Sequence, residues 1–137
     1  MSNVYESSYA EQASPIRLRT VIRDVIIVMA LTFLSGFVIG FSISFAHLNV
    51  DQAKFMMMIS ISNIVFSIVG YFISGCLTPQ ARWTHLTYVA IGVWLASLCN
   101  LAFGVTVVQW LLGLPVSFVA MAVGGSMSAI IVRAPRI

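Results

Sequence analysis

The stretch 56–77, MMMISISNIVFSIVGYFISGCL, decides the fold. Almost every side chain in it is apolar, and none is charged. Small or polar residues recur in it at steps of three and four, which places them on one face of a helix: Ser60, Asn63, Ser67, Gly70 and Ser74. In lipid, small residues let a neighbouring helix approach closely, and an amide needs a partner on another helix. We therefore interpret the stretch as a transmembrane helix and this face as its packing face.

The composition of the whole chain agrees with a membrane protein. Of its 137 residues, 60% are hydrophobic and 8% are charged, and the mean hydropathy is +1.01. Soluble domains carry roughly 25% charged residues, so a soluble class is excluded. The net charge of +3 is interpreted as a signal of membrane topology and not of nucleic-acid binding.

Apolar runs divide the chain into four predicted spans, at about 25–46, 55–77, 84–103 and 107–132. About 20 residues suffice to cross a bilayer. The first run is too long for the core of a signal peptide, about 7–15 residues, so we expect a retained anchor. The predicted fold class is all-α: a polytopic membrane protein built as an antiparallel bundle of four transmembrane helices. Residues 1–14 are predicted to be a flexible cytoplasmic tail, and 15–137 a single transmembrane domain.

Basic residues predict the orientation of the spans. With the N-terminus inside, the cytoplasmic side holds Arg17, Arg19, Arg23, Arg82, Arg133 and Arg136. The opposite side holds Lys54. Because cytoplasmic connections are enriched in Lys and Arg, both termini are predicted to be cytoplasmic. The most economical location is a bacterial inner membrane.

The other spans carry small-residue faces of their own. The first contains a GxxxG pair, Gly36 and Gly40, which permits close helix contact. The third and fourth carry further faces: Ala90, Ser97, Asn100 and Gly104, then Gly113, Ser117, Ala120, Gly124 and Ser128. Pro115 leaves the carbonyl of Leu111 without its helical donor, which predicts a kink.

Two amides, Asn63 and Asn100, lie in the outer halves of adjacent predicted spans. Their depths differ by about 6 Å, which places a shared network with Ser60 or Ser97 within reach. We expect these amides to hold the helices together rather than to contact a substrate.

Asp24 adjoins a span on the inner side and shares its depth with several cationic residues. One hypothesis pairs it with Arg82 or Arg133, which would tie the first span to the third or fourth. The alternative, of equal weight, is a solvated acid beside Arg23. We group these four residues as a predicted charge cluster at the cytoplasmic edge.

No pattern in the sequence indicates catalysis, a metal site or a cofactor. The serines have no companion base at a recognisable spacing. Cys76 and Cys99 are predicted at depths about 20 Å or more apart, too far for a disulfide. His47 and His85 are predicted on opposite sides of the membrane, so they do not make a metal set together.

In length and number of spans, the chain resembles the small multidrug-resistance exporters, and in bulk the small fluoride channels. The exporters depend on a glutamate within the first span, whereas 31–43 contains no acid here. The glycine–arginine motif of the fluoride channels is also lacking. No family is assigned on this architecture.

The leading functional hypothesis is a non-enzymatic membrane subunit in an accessory, assembly, inhibitory or immunity-type role. Its small-residue faces would pack against further copies or a larger membrane partner within the lipid bilayer. The alternative is a small oligomeric channel or transporter for a small solute or lipid. Lack of an ionisable group in the interiors of the later spans weighs against charge-coupled transport, although neutral side chains can line a pore.

Overall fold

The computed structural model describes residues 17–47 and 50–132, and in this part the chain forms four long helices joined by short connections. All four are long and apolar enough to cross a membrane, the third when it is counted together with the 3-10 segment that follows it, as Arg82–Ala102. The helices are α1 (Leu18–Phe45), α2 (Gln52–Leu77), α3 (Arg82–Ala96) and α4 (Val107–Ile131), with a 3-10 helix, Ser97–Phe103, between α3 and α4. The predicted tail 1–14 lies outside the described residues, as do Arg133 and Arg136.

Side-chain caps fix the starts of two helices. At α2, the Asp51 carboxylate accepts from the amide of Lys54 at 2.8 Å, and at α4 Thr106 and Gln109 form a reciprocal capping box. Each cap satisfies amides that the first helical turn leaves without partners. The fourth span therefore begins where the sequence predicts it, at Val107, and ends within one residue of the predicted boundary.

The apolar run predicted one continuous α-helix for the third span, but the structure divides this span into two parts. The α-helix ends at Ala96, and the chain continues as a 3-10 helix to Phe103. Here the Ser97 hydroxyl donates to the carbonyl of Trp94 at 2.6 Å, a local bond of the kind that competes with helix propagation. Gly104 then turns the chain with a φ of +92°, a conformation that glycine adopts without strain.

The four helices enclose a common interior. α1 packs on α2 and α3, and α4 packs on the same two helices. The core is small and lies between them; its members are Val21, Val28, Tyr71, Leu86, Val89, Ala90, Ala120 and Met121. Large apolar side chains elsewhere point outward, such as the stacked row Phe37, Phe41 and Phe45. An apolar exterior of this kind suits hydrocarbon as the surrounding solvent.

Glycines mark where helices approach most closely. A Cβ on Gly124 would lie 2.8 Å from the backbone nitrogen of Phe72, and one on Gly70 would lie 3.1 Å from the Cα of Val28. These positions bring α2 against α4 and α1. By contrast, a Cβ on Gly36 or Gly40 would meet no described atom within 4 Å. The GxxxG pair is thus left open within the described chain.

Candidate functional site

A buried ionic cluster lies where the start of α1 meets the end of α2 and the start of α3. The Asp24 carboxylate is fully buried and accepts three side-chain hydrogen bonds, from Arg23 Nε at 2.6 Å, Ser74 Oγ at 2.7 Å and His85 Nε2 at 2.8 Å. Because an ionised carboxylate only accepts, Nε2 of His85 carries the proton in this bond. We call these four residues the Asp24 cluster.

The predicted pair between Asp24 and Arg82 is not formed. Arg82 instead donates from Nε to the carbonyl of Gly75 at 3.2 Å and from Nη2 to the carbonyl of Val132. Carbonyls at helix C-termini lack helical donors, so a guanidinium is a natural partner for them. The alternative of a solvated acid is also wrong, because Asp24 has no exposed surface although it does contact Arg23. Arg133 lies outside the described residues.

His85 is the functional-site residue that the sequence interpretation missed. Its shared depth with Asp24 was a usable signal, since both lie near the same edge of the predicted bundle. Depth alone does not fix the rotation of a helix about its axis, and rotation decides which side chain faces inward. The structure turns His85 inward, with 2% of its surface exposed.

Tightly packed residues separate the Asp24 cluster from the other half of the bundle. Val28 and Tyr71 are fully buried there, and the hydroxyl of Tyr71 hydrogen-bonds the hydroxyl of Ser117. Gly70 of α2 faces Val28 of α1, and its lack of a side chain lets the two helices come into contact here. This layer lies between the Asp24 cluster and a cavity in the other half of the bundle.

Beyond this layer the helices surround a cavity of about 340 Å³. Met29, the first residue of α1 in its wall, follows Asp24 by five residues, about 7.5 Å along the helix. All four helices contribute to its wall. The lining residues are Met29, Thr32, Phe33, Asn63, Ile64, Ser67, Val93, Trp94, Ser97, Asn100, Val105, Gln109, Trp110, Gly113, Val116, Ser117 and Ala120.

The two predicted amides both line this cavity, but the expected link through Ser60 or Ser97 is replaced by another. Asn63 Oδ1 accepts from the hydroxyl of Ser35 on α1 at 2.6 Å, while Ser60 is exposed and donates to the carbonyl of Met56 in its own helix. Asn100 lies in the 3-10 helix, so the end of the third span is displaced from ideal helical positions. The interhelical bond of Asn63 therefore joins α2 to α1.

A tryptophan pair and a glutamine complete the wall. The rings of Trp94 and Trp110 stack with centroids 4.1 Å apart, and each indole N–H donates to the carbonyl of the other residue, at 3.0 and 3.1 Å. This reciprocal arrangement locks the end of α3 to the start of α4. Gln109 Oε1 accepts from the amide and the hydroxyl of Thr106, so the side chain is held by its oxygen.

The predicted packing face of α2 is divided among three environments. Gly70 and Ser74 are buried, Asn63 and Ser67 line the cavity, and Ser60 is exposed. The small residues of α4 face the interior in the same graded way, from Gly113 and Ser117 at the cavity to the buried Ala120, Gly124 and Ser128. Of the third span, Ala90 is buried, Ser97 and Asn100 line the cavity, and Gly104 is exposed.

Pro115 lies inside α4, which continues from Val107 to Ile131. The kink at this position stays a prediction.

Within 17–47 and 50–132, no group of three or more His, Cys, Asp or Glu side chains is placed to hold a metal ion. Cys76 and Cys99 are free thiols.

No protein-family model, curated protein or solved structure matches the chain. The functional argument therefore depends on the geometry of the cavity and of the Asp24 cluster.

Proposed function

We propose that this chain is a small, non-enzymatic integral membrane protein that binds a small solute between its four helices and conducts it across the bilayer. This is the channel or transporter hypothesis. The cavity, whose wall is mostly apolar but carries the polar side chains of Asn63, Ser67 and Asn100, is the single observation that carries it. Sites of this kind, concave and enclosed by several elements, are where small ligands bind in proteins.

The unequal ends of the bundle support a transport role over simple packing. Amides and hydroxyls interrupt the mostly apolar wall of the cavity, whereas the interior beyond it is filled by Val28 and Tyr71 and then by the Asp24 cluster. A solute site that is closed on one side is what alternating access requires in one of its states.

The proposal includes an orientation. The four helices run antiparallel across a bacterial inner membrane with both termini cytoplasmic, so that the Asp24 cluster lies on the inner side and the cavity on the outer side. Two hydrogen bonds between α1 and α2 support the antiparallel order. Asp24, near the start of α1, bonds Ser74 near the end of α2. Ser35, further along α1, bonds Asn63, which comes before Ser74 in α2. The excess of arginine at the inner edge supports the orientation.

A second candidate function is the membrane subunit that packs on a larger partner or on further copies of itself. Its specific support is the open GxxxG pair, since no described atom lies within 4 Å of a Cβ placed on Gly36 or Gly40. Faces of this type associate in membranes. The two functions are compatible if several copies assemble.

The test is solute flux in liposomes containing the purified chain, followed by light scattering after an osmotic step with urea, glycerol or potassium chloride. We expect at least one of these solutes to cross faster than in protein-free liposomes. Ser67→Phe, which places a ring at the cavity wall, should abolish that flux. Ser60→Phe, on the exposed face of the same helix, should leave it unchanged.

Absence of flux for every solute, or equal flux in the Ser67→Phe variant and the parent, would contradict the transport proposal. Purification in mild detergent with mass determination addresses the second candidate. A fixed larger partner that is retained in the parent and lost in Gly40→Leu would favour the subunit function.

A further inference from the structure

The geometry points to an uncharged solute with several hydrogen-bond acceptor oxygens as the ligand of the cavity. This inference rests on the proposed function, because it names the class of molecule that the same site takes.

Charge is the first argument. None of the described residues that line the cavity is acidic or basic. The nearest buried charges belong to the Asp24 cluster, behind the layer of Val28 and Tyr71; Asp24 precedes the lining residue Met29 by five residues, about 7.5 Å along α1. An ion in the cavity would lose its hydration without gaining a countercharge, and charges within a bilayer without such compensation are costly. A neutral solute avoids this cost.

The hydrogen-bonding pattern is the second argument. The carbonyl oxygens of Asn63 and Gln109 already accept from Ser35 and Thr106. Each of these side chains therefore has its NH₂ group to offer a ligand. A molecule with carbonyl, ether or hydroxyl oxygens matches these donors, and the hydroxyls of Ser67 and Ser117 on the cavity wall can either donate or accept.

Size is the third argument. A cavity of about 340 Å³ corresponds to the liquid volume of roughly ten waters. The solute that fills it therefore has on the order of ten non-hydrogen atoms.

The experiment uses the tryptophans of the cavity wall as reporters. In the full chain carrying Trp83→Phe, the fluorescence comes from Trp94 and Trp110. Quenching is measured with acrylamide, which is neutral and bears a carbonyl oxygen, and with iodide and caesium ions. Each quenching constant is normalised to that of N-acetyltryptophanamide in the same detergent. We expect acrylamide to quench at least about tenfold more effectively than either ion, as a charge penalty of 1.4 kcal/mol or more implies.

A matched pair of variants sharpens the test. Asn63→Asp keeps an acceptor for Ser35 but adds a negative charge to the wall, so quenching by caesium should rise severalfold while quenching by iodide stays low. Ser60→Asp places the same charge on the exposed face of α2 and should change neither. Ser67→Phe should reduce quenching by acrylamide.

Effective quenching by iodide or caesium in the parent would overturn the inference, as would failure of all three probes to quench. Failure of the inference is distinguishable from failure of the proposed function. Flux of potassium chloride together with ion quenching overturns the ligand class and leaves transport standing. Selective quenching by acrylamide without flux of any solute overturns transport and leaves the ligand class standing.

Discussion

The two ends of the bundle interior differ in packing: one is closely packed around a buried carboxylate, and the other contains a cavity. At the end that holds the Asp24 cluster, small residues bring the helices into contact, and a buried carboxylate is bonded by three side chains. At the other end the helices surround a cavity, whose mostly apolar wall carries uncharged amides and hydroxyls. The difference teaches that one set of small and polar residues serves two purposes, since the same α2 face closes the bundle at Gly70 and Ser74 and lines a space at Asn63 and Ser67.

The comparison implies an unequal distribution of stability. Contacts that are buried and fully hydrogen-bonded are costly to break, whereas side chains around a cavity have fewer packed neighbours. Substitutions at the Asp24 end should therefore destabilise the chain more than substitutions at the cavity end. The following predictions are ordered by expected effect.

Asp24→Ala should cause the largest loss. It leaves the buried His85 and Ser74 without their acceptor and removes the countercharge of Arg23. Each buried polar group left without a partner costs about 1–3 kcal/mol. The measurement is the free energy of unfolding in mixed micelles titrated with a denaturing detergent. Asp51→Ala, which removes an exposed acid, is the control, and equal losses for the two variants would refute the structural role of the Asp24 cluster.

Gly124→Ala should cost about 1–3 kcal/mol, the usual range for overpacking. Its added methyl would lie 2.8 Å from the nitrogen of Phe72 and 2.9 Å from the Cβ of Tyr71, so α2 and α4 must separate. Gly40→Ala adds the same methyl where no described atom lies within 4 Å, and its free energy of unfolding should match that of the parent. Similar values for both variants would mean that α2 and α4 are not in close contact.

Ser35→Ala should have a smaller effect, about 0.6 kcal/mol, as is typical of hydrogen bonds between transmembrane helices. It removes the donor to Asn63 at the cavity end. Ser60→Ala, whose hydroxyl bonds within its own helix, serves as the control. A loss for Ser35→Ala as large as that for Asp24→Ala would contradict the proposed difference between the ends.

The smallest effect concerns the start of α2. The amide of Lys54, and then its ammonium group, hold the pKa of Asp51 below its usual value. The carboxylate is therefore more acidic in the folded chain than in the unfolded chain, where its pKa is about 3.9. Its stabilising effect is present above that value and is lost as the pH falls through the lower folded pKa.

We therefore expect the amide of Lys54 to exchange faster with solvent, relative to its intrinsic rate, once the pH falls below about 4. Hydrogen exchange followed by mass spectrometry would measure this. In Asp51→Asn, which keeps an acceptor for the amide but does not titrate, the relative exchange rate should not change in this pH range. A pH dependence that persists in this variant would exclude Asp51 as its source.

The number and positions of the four helices could be predicted from the sequence because uncharged runs of 20 or more residues have few alternatives to a membrane-crossing helix. The start of α4 was equally accessible, since Thr106 and Gln109 have the spacing of a capping box. The break in the third span was not, because a 3-10 segment differs from an α-helix by small local bonds such as that from Ser97 to Trp94.

The partners of Asp24 and Asn63 were also out of reach of the sequence. Composition and periodicity placed each polar residue at a depth and on a face, but several partners shared that depth. The choice among them depends on how far each helix is rotated and how closely it approaches its neighbours, and these follow from the packing of all four helices together.

The sequence by itself determined that the chain is helical, that its helices suit a membrane and which faces carry small residues. These properties follow from local chemistry, because each run must satisfy its own backbone and match its solvent. Only the tertiary structure decided that His85 binds Asp24 while Arg82 binds backbone carbonyls, and that Asn63 and Ser67 border an open cavity. Those outcomes are properties of helix pairs, and no single segment contains the geometry that sets them.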